Sequence, residues 1–170
     1  MPRIHVCSLA KIEDTVRETG ARSMITLINP AYPVTRPGDI HIDRHLFLSM
    51  SDIIEPVDGH TLPGAEHIDE LLGFINRWDQ RDPLLIHCYA GVSRSTAAAF
   101  ITACALRPQR EEASVARLIR ERSPTATPNA RLVSLADTVL ARSGRMSAAV
   151  SAIGMGESCY EGVPFVLELD

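Results

Sequence analysis

The sequence lacks paired cysteines. Its four cysteines, Cys7, Cys88, Cys104 and Cys159, are widely separated, with no Cys-x-x-Cys pair and no His/Cys spacing typical of a metal site. Nothing therefore predicts a structural metal or a disulfide framework. We expect reduced thiols, no metal and no cofactor.

A strong charge of one sign is also missing. The chain carries 17 Lys and Arg against 21 Asp and Glu, which gives a formal net charge of -4, and the two signs are interspersed. No basic face therefore predicts nucleic acid or an anionic membrane as a partner. This exclusion does not extend to the substrate, because a local positive pocket can lie on an acidic protein.

Long apolar runs are absent as well. The first 16 residues have neither the basic start nor the apolar run of a signal peptide, and the run at 96–106, TAAAFITACAL, is too short to span a bilayer. We therefore expect a cytoplasmic protein without membrane contact. With 170 residues, of which 45% are apolar, the chain is predicted to fold as one globular domain.

No repeat or linker divides the chain, and predicted strands alternate with predicted helices. Strands are expected near 4–9, 23–29, 45–50 and 83–88, and helices near 11–20, 64–79, 95–106, 111–122 and 129–142. This order predicts an α/β fold with a central, mostly parallel sheet flanked by helices. Residues 1–144 are expected to form this domain. Residues 145–170 are expected to be a tail with a loop and an edge strand packed on it, or a partner contact.

The functional signal lies in PLLIHCYAGVSRSTAAA, residues 83–99. A cysteine followed six positions later by an arginine is a weak signal alone, since Cys104 and Arg110 share that spacing. Cys104 lies in a predicted apolar helix, and Pro108 interrupts before Arg110, so Cys104 is interpreted as a core cysteine. Cys88 differs because it ends a strand predicted to be buried. It is therefore expected at the carboxyl edge of the sheet, where α/β folds bind ligands.

The residues after Cys88 predict a tight anion cradle. Gly91 permits a positive φ, with which successive backbone N–H groups converge on an anion, and Ser95 and Thr96 can open the next helix. That helix terminus and Arg94 both favour a thiolate, and the guanidinium fork suits two oxygens of a phosphate. We expect a phosphate or sulfate anion to be held above the sulfur by Tyr89, Ala90, Gly91, Val92, Ser93 and Arg94.

The stretch HCYAGVSRS resembles the signature of the cysteine-dependent protein tyrosine phosphatases, His-Cys-x-x-Gly-x-x-Arg-Ser/Thr. Every fixed position is matched, by His87, Cys88, Gly91, Arg94 and Ser95. In its length and mid-chain cysteine, the sequence is similar to the compact dual-specificity-like branch, notably small bacterial members, over roughly residues 20–140. The resemblance implies a phosphatase domain in residues 1–144. It also implies a phosphomonoester hydrolase that acts through a cysteinyl-phosphate.

A leaving alkoxide or phenoxide needs a proton from an acid across the pocket. In the resembled family this acid is an aspartate on a loop that follows a strand upstream of the cysteine. Asp52 directly follows the strand predicted at 45–50, and we favour it as the general acid. Asp58 is the alternative, and an ordinary turn or cap role is the alternative for both.

The remaining candidates support the loop. By resemblance, Ser95 donates a hydrogen bond to the Cys88 sulfur and eases its departure, although a plain helix cap is also open. His87 is interpreted as a buried hydrogen-bonding residue, because adjacent strand residues point to opposite sides. Asn129 is expected to brace the loops or to cap the next helix. Tyr32 is a candidate aromatic wall for a phosphotyrosine ring.

The predicted substrate is a phosphorylated protein, with phosphotyrosine favoured and dual specificity left open. Phosphoinositide-directed relatives carry lysines inside the loop, and residues 89–93 contain none. The alternatives are a phosphate-recognising module or redox sensor in which Cys88 does not turn over, and sulfur transfer as in rhodaneses. The Gly-x-x-Arg-Ser ending and the upstream aspartate argue against sulfur transfer.

Overall fold

Five strands form one sheet in the computed structural model, which describes residues 1–170. The strands are β1 (Arg3–Cys7), β2 (Ser23–Ile28), β3 (His45–Ser49), β4 (Leu84–His87) and β5 (Phe165–Glu168). Their order is β3-β2-β4-β1-β5, with β1 to β4 parallel and β5 antiparallel to β1. The predicted α/β fold with a mostly parallel sheet is confirmed.

Six helices flank the sheet. They are α1 (Ile12–Thr19), α2 (Ala65–Arg77), α3 (Arg94–Leu106), α4 (Glu112–Arg122), α5 (Ala130–Val139) and α6 (Arg145–Ile153), with short 3-10 turns at Leu9–Lys11 and Ile42–Arg44. Helix α1 packs on one face of the sheet in a small apolar cluster, and α2 to α6 share the larger cluster on the other face. Strand β4 is covered on both sides, since Leu84 and Ile86 face the larger cluster and Leu85 the smaller one.

Helix α3 runs through the centre of the larger cluster. Its small side chains, Ala97, Ala98, Ala99 and Ala103, are almost completely buried and let its backbone approach the neighbouring elements closely. Because α3 follows directly from the cysteine loop, this packing fixes the direction of the helix N-terminus.

The C-terminal residues differ in part from the sequence-based expectation. Residues 145–153, expected in a loop, form α6, so that expectation is wrong. The Asp137 carboxylate accepts hydrogen bonds from the backbone N–H groups of Gly144, Met146 and Ser147, which caps the first turn, and Met146 is fully buried. Residues 165–168 pair with β1 as an edge strand. The division of the chain at residue 144 stays a prediction.

None of the helices combines the length and the apolar character needed to cross a membrane.

Candidate active site

Cys88 lies at the carboxyl end of β4, which β2 and β1 flank on either side. The residue is buried, with 2% of its surface exposed. Its Sγ accepts a hydrogen bond from the backbone N–H of Gly91 at 3.3 Å and lies 3.1 Å from Oγ of Ser95, in the first turn of α3. One backbone N–H group and one hydroxyl group thus lie within hydrogen-bond distance of the sulfur.

The carbonyl groups of the cysteine loop are bonded to groups outside the loop. Those of Tyr89, Ala90, Val92 and Ser93 accept hydrogen bonds from the backbone N–H groups of Leu9, Gly162, Thr127 and Asn129, at 2.8 to 3.2 Å. In a trans peptide the N–H group points away from the carbonyl of the same plane. The amides that follow these four carbonyls are therefore turned toward the inside of the loop, as an anion nest requires.

Gly91 makes this loop possible for two reasons. Its φ is +72°, in the left-handed region that favours glycine. A Cβ there would also lie 2.8 Å from the carbonyl carbon of Cys7 and 2.9 Å from the amide nitrogen of Ser8. The loop consequently packs directly on the backbone at the end of β1.

Arg94 is held in place at the first position of α3. It is 8% exposed, and one terminal guanidinium nitrogen donates a hydrogen bond to the carbonyl of Met50 at 2.9 Å. Its Nε is buried and has no hydrogen-bond partner within the protein. A buried donor without a partner is costly, so the fixed guanidinium is suited to bind an oxyanion.

Asp52, which follows β3, is hydrogen-bonded to the cysteine loop. Its Oδ1 accepts hydrogen bonds from Oγ of Ser93 at 2.8 Å and from the side-chain amide of Asn129 at 2.9 Å. Asp58 is exposed, and its carboxylate makes no hydrogen bond or ion pair within the chain. The structure thus brings Asp52, and not Asp58, into contact with the loop.

Asn129 has both of the contacts considered from the sequence. Its side-chain oxygen accepts from the N–H of Leu132 and so caps α5, while its amide group donates to Asp52 and to the carbonyl of Ile53. One side chain therefore joins the helix start to the segment that carries the candidate acid.

His87 is buried and faces away from the sulfur. Its Nδ1 is 3.1 Å from the carbonyl of Cys88 and its Nε2 is 2.7 Å from Oγ1 of Thr26, which is itself 2.7 Å from Nε2 of His45. Burial lowers the pKa of His87 to about 4, although the hydrogen bond to Cys88 opposes this. The neutral ring therefore donates from Nδ1 and accepts the Thr26 hydroxyl at Nε2.

Two tyrosines meet beside the loop. The rings of Tyr32 and Tyr89 have centroids 4.8 Å apart and planes tilted by 46°. Both side chains are partly exposed, at 44% and 49%. They form an aromatic edge at the cysteine loop, of which Tyr89 is the first residue after the cysteine.

Three contacts of the site were not found from the sequence. Ser93 bonds to Asp52 across 41 positions, Thr26 bonds to His87 across 61, and Gly162 reaches the loop from the C-terminal residues. Each partner lies on a distant element, and no local pattern marks it. No group of three or more His, Cys, Asp or Glu side chains is arranged to hold a metal ion.

No protein-family model matches the chain, and no curated protein matches it in sequence. Solved structures do match its fold. The PTP-2 phosphatase of Cydia pomonella has a TM-score of 0.62 at 19% identity, covering 79% of this chain and 84% of its own. DUSP15 has a TM-score of 0.62 at 20% identity, covering 93% and 96%. The human tyrosine phosphatase-like serine/threonine/tyrosine-interacting protein has a TM-score of 0.64 at 15% identity, covering 82% and 92%.

At these identities the similarity concerns the fold. The chain has the fold of the tyrosine and dual-specificity phosphatases, as the resemblance of HCYAGVSRS implied. The bacterial branch suggested by the sequence stays a prediction, and so do the individual roles of the site residues.

Proposed function

We propose that this protein is a phosphomonoester hydrolase that acts through a cysteinyl-phosphate, as a protein tyrosine or dual-specificity phosphatase. The observation that supports this most strongly is the cysteine loop itself. The carbonyl groups of the loop accept hydrogen bonds from groups outside it, and its amides face the buried Sγ. Arg94 is held at the end of the loop, and its buried Nε has no hydrogen-bond partner within the protein. Such an arrangement suits a tetrahedral dianion above a nucleophile.

In the first step, the Cys88 thiolate attacks phosphorus and a sulfur–phosphorus bond forms as the bond to the leaving oxygen breaks. The loop amides and Arg94 hold the nonbridging oxygens and balance their charge. Asp52 gives its proton to the leaving oxygen. The direct links from Asp52 to Ser93 and Asn129 favour it over Asp58 for this role.

In the second step, Asp52 accepts a proton from water as the water oxygen attacks the phosphorus. The sulfur–phosphorus bond breaks, inorganic phosphate leaves and the thiolate returns. Ser95 stabilises the departing sulfur, from which its Oγ lies 3.1 Å away. Arg94 and the loop amides balance the negative charge of the phosphoryl group in both steps. The proposed reaction therefore requires no metal ion.

The surroundings of the loop favour a phosphorylated protein as the substrate. The Tyr32–Tyr89 edge offers an aromatic surface to a phosphotyrosine ring. Residues 89–93 supply no lysine that would bind further phosphates of a polyphosphorylated headgroup. Phosphotyrosine is therefore the favoured substrate, and dual specificity remains within the proposal.

The alternative is a phosphate-recognising module or redox sensor that uses the same loop without turnover. The phosphatase-like interacting protein among the structural matches carries this fold under a name that does not describe it as a phosphatase. Against this alternative, Asp52 supplies an acid in contact with the loop.

Release of phosphate from p-nitrophenyl phosphate, measured with a metal chelator present, distinguishes a phosphatase from a phosphate-recognising module or redox sensor. The proposal predicts turnover by the wild type, none by Cys88→Ser, and a fall of about 100-fold or more for Arg94→Ala. Cys159→Ser, which changes an exposed cysteine, is the matched control and should retain full activity.

The acid assignment is tested with Asp52→Asn and Asp58→Asn. Phosphotyrosine has a poorer leaving group than p-nitrophenyl phosphate, so Asp52→Asn should reduce its hydrolysis by about 100-fold or more and affect the activated substrate less. Asp58→Asn should behave as the wild type. Phosphate binding without turnover by the wild type would favour the recognition module.

A further inference from the structure

The residues between α6 and β5 cross the outside of the cysteine loop. We call residues 154–164 the tail segment. The N–H of Gly162 donates to the carbonyl of Ala90 at 2.8 Å, and the Glu161 carboxylate accepts from the Ser8 hydroxyl at 2.5 Å. The tail segment is thereby fixed against both the loop and the end of β1.

A groove of about 380 Å³ lies between this segment and the loop. It is lined by Ser8, Leu9, Ala10, Tyr89, Tyr160 and Glu161. Tyr89 belongs to both the groove and the aromatic edge beside the candidate phosphate site, since its ring contacts Tyr32. The groove therefore adjoins the aromatic edge that borders the candidate phosphate site.

The chemistry of the lining favours a cation. Tyr89 is half-exposed and Tyr160 fully exposed, so both offer aromatic faces to a positive group. Glu161 is the only carboxylate among the lining residues, and they include no lysine, arginine or histidine. No base of the protein forms an ion pair with Glu161, and Lys11, although it follows Ala10, lies outside the lining.

We propose that this groove binds a lysine or arginine side chain close to the phosphorylated residue of a protein substrate. The inference rests on the proposed phosphatase function and adds a substrate class to it. The aliphatic part of the basic side chain packs on Leu9 and Ala10, and its charged end lies between the tyrosine faces and the free oxygen of Glu161.

A set of phosphotyrosine peptides tests this proposal. The peptides differ only by Arg, Ala, Leu or Glu at one of the two positions on either side of the phosphotyrosine, and kcat/KM is measured for each. At one position at least, arginine should raise kcat/KM about 3- to 10-fold over alanine, and glutamate should lower it. The preference should weaken at high ionic strength, because the pair is exposed.

Variants connect the preference to the groove. Glu161→Gln retains an oxygen that can accept from Ser8 but loses the charge, and it should abolish most of the arginine preference. Tyr160→Ala should reduce it. Glu157→Gln is the matched control, because Glu157 is an acid of the same tail segment outside the groove, and it should keep the wild-type preference.

Hydrolysis of p-nitrophenyl phosphate, measured for every variant, separates the two hypotheses. If the wild type does not hydrolyse this small substrate, the proposed function fails. If it does, but arginine is preferred at no position, or leucine is preferred instead, the groove proposal is wrong. It is also wrong if Glu161→Gln retains the full arginine preference.

Discussion

The side-chain amide of Asn129 donates a hydrogen bond of 2.9 Å to Oδ1 of Asp52, which lies 77 positions earlier in the chain. Asn129 also caps α5 through its side-chain oxygen. The start of a helix in the larger cluster therefore fixes the candidate acid relative to the cysteine loop. This link connects the stability of α5 with the proposed proton transfer.

Replacement of Asn129 should separate these two effects. Asn129→Ala should lower the free energy of unfolding by about 1 kcal/mol through loss of the cap. Asn129→Ser keeps a capping side chain but cannot hold Asp52 in the same way. Both variants should therefore reduce kcat on phosphotyrosine about 10-fold, since a mispositioned acid loses part of its effect. Urea unfolding and steady-state kinetics measure the two quantities.

The effect on p-nitrophenyl phosphate should be smaller, because its leaving group needs less protonation. An equal loss of kcat on both substrates would contradict a positioning role for Asn129.

Gly91 should tolerate no side chain. Gly91→Ala places a Cβ within 3.0 Å of the backbone of Cys7 and Ser8 at a φ of +72°, so the loop must shift. A displacement of this kind should lower kcat/KM by about 100-fold or more. Gly20→Ala is the control, because Gly20 has a φ of +71° and open space around it.

Gly20→Ala should cost only the strain of the left-handed backbone, about 1 kcal/mol in urea unfolding, with full activity. Wild-type activity in Gly91→Ala would show that the close approach of the loop to β1 is not required.

The four cysteines should differ in reactivity toward iodoacetamide at neutral pH. Burial raises the pKa of Cys7 and of Cys104 to about 12, so these thiols should remain unlabelled. Cys88 should be alkylated with loss of activity, and inorganic phosphate should protect it by occupying the loop. The exposed Cys159 should be alkylated without effect.

Peptide mass spectrometry after partial labelling identifies the modified thiols, and Cys159→Ser removes the one reactive thiol outside the site. Labelling of Cys7 before Cys88, or labelling of Cys88 that phosphate does not slow, would contradict the account of the loop.

His87 should make the protein less stable in mild acid. Its pKa is about 4 in the folded protein against an ordinary value of 6.5, so between these pH values the unfolded chain binds a proton that the folded protein does not. The free energy of unfolding should therefore fall as pH decreases from 6.5 to 4, by about 3 kcal/mol from this residue.

Urea unfolding at a series of pH values measures this dependence. His87→Gln should reduce the dependence over that range, and part of the remainder should come from His45, whose pKa burial also lowers to about 4. A wild-type stability independent of pH between 6.5 and 4 would contradict the buried neutral state of His87.

Much of the fold was predictable because its strands and helices carry strong local patterns. The short apolar strand β4 and the helical spacing of Ile68, Leu71 and Ile75 in α2 identify these elements directly. Helix α6 was missed because its cap, Asp137, lies in the preceding helix, and its sequence of small residues resembles a loop. The capping contact exists only once α5 has folded.

The candidate site was likewise predictable where its residues are close in sequence, and not where they meet only in the folded chain. The cysteine loop is one continuous segment, so its geometry can be anticipated from Gly91, Arg94 and the strand before them. Asp52 was favoured over Asp58 by its place after a strand. Its hydrogen bonds to Ser93 and Asn129, and the packing of the tail segment on the loop, arise from tertiary structure and have no sequence pattern.

The covalent intermediate tests the central claim most directly. The protein is mixed with a phosphotyrosine peptide at saturating concentration, quenched in acid during turnover, digested and analysed by mass spectrometry. The account predicts one phosphoryl group on the peptide that contains Cys88, in wild type and in larger amount in Ser95→Ala, and none in Cys88→Ser. Continued turnover by Cys88→Ser, or a phosphoryl group on another residue in its place, would contradict it.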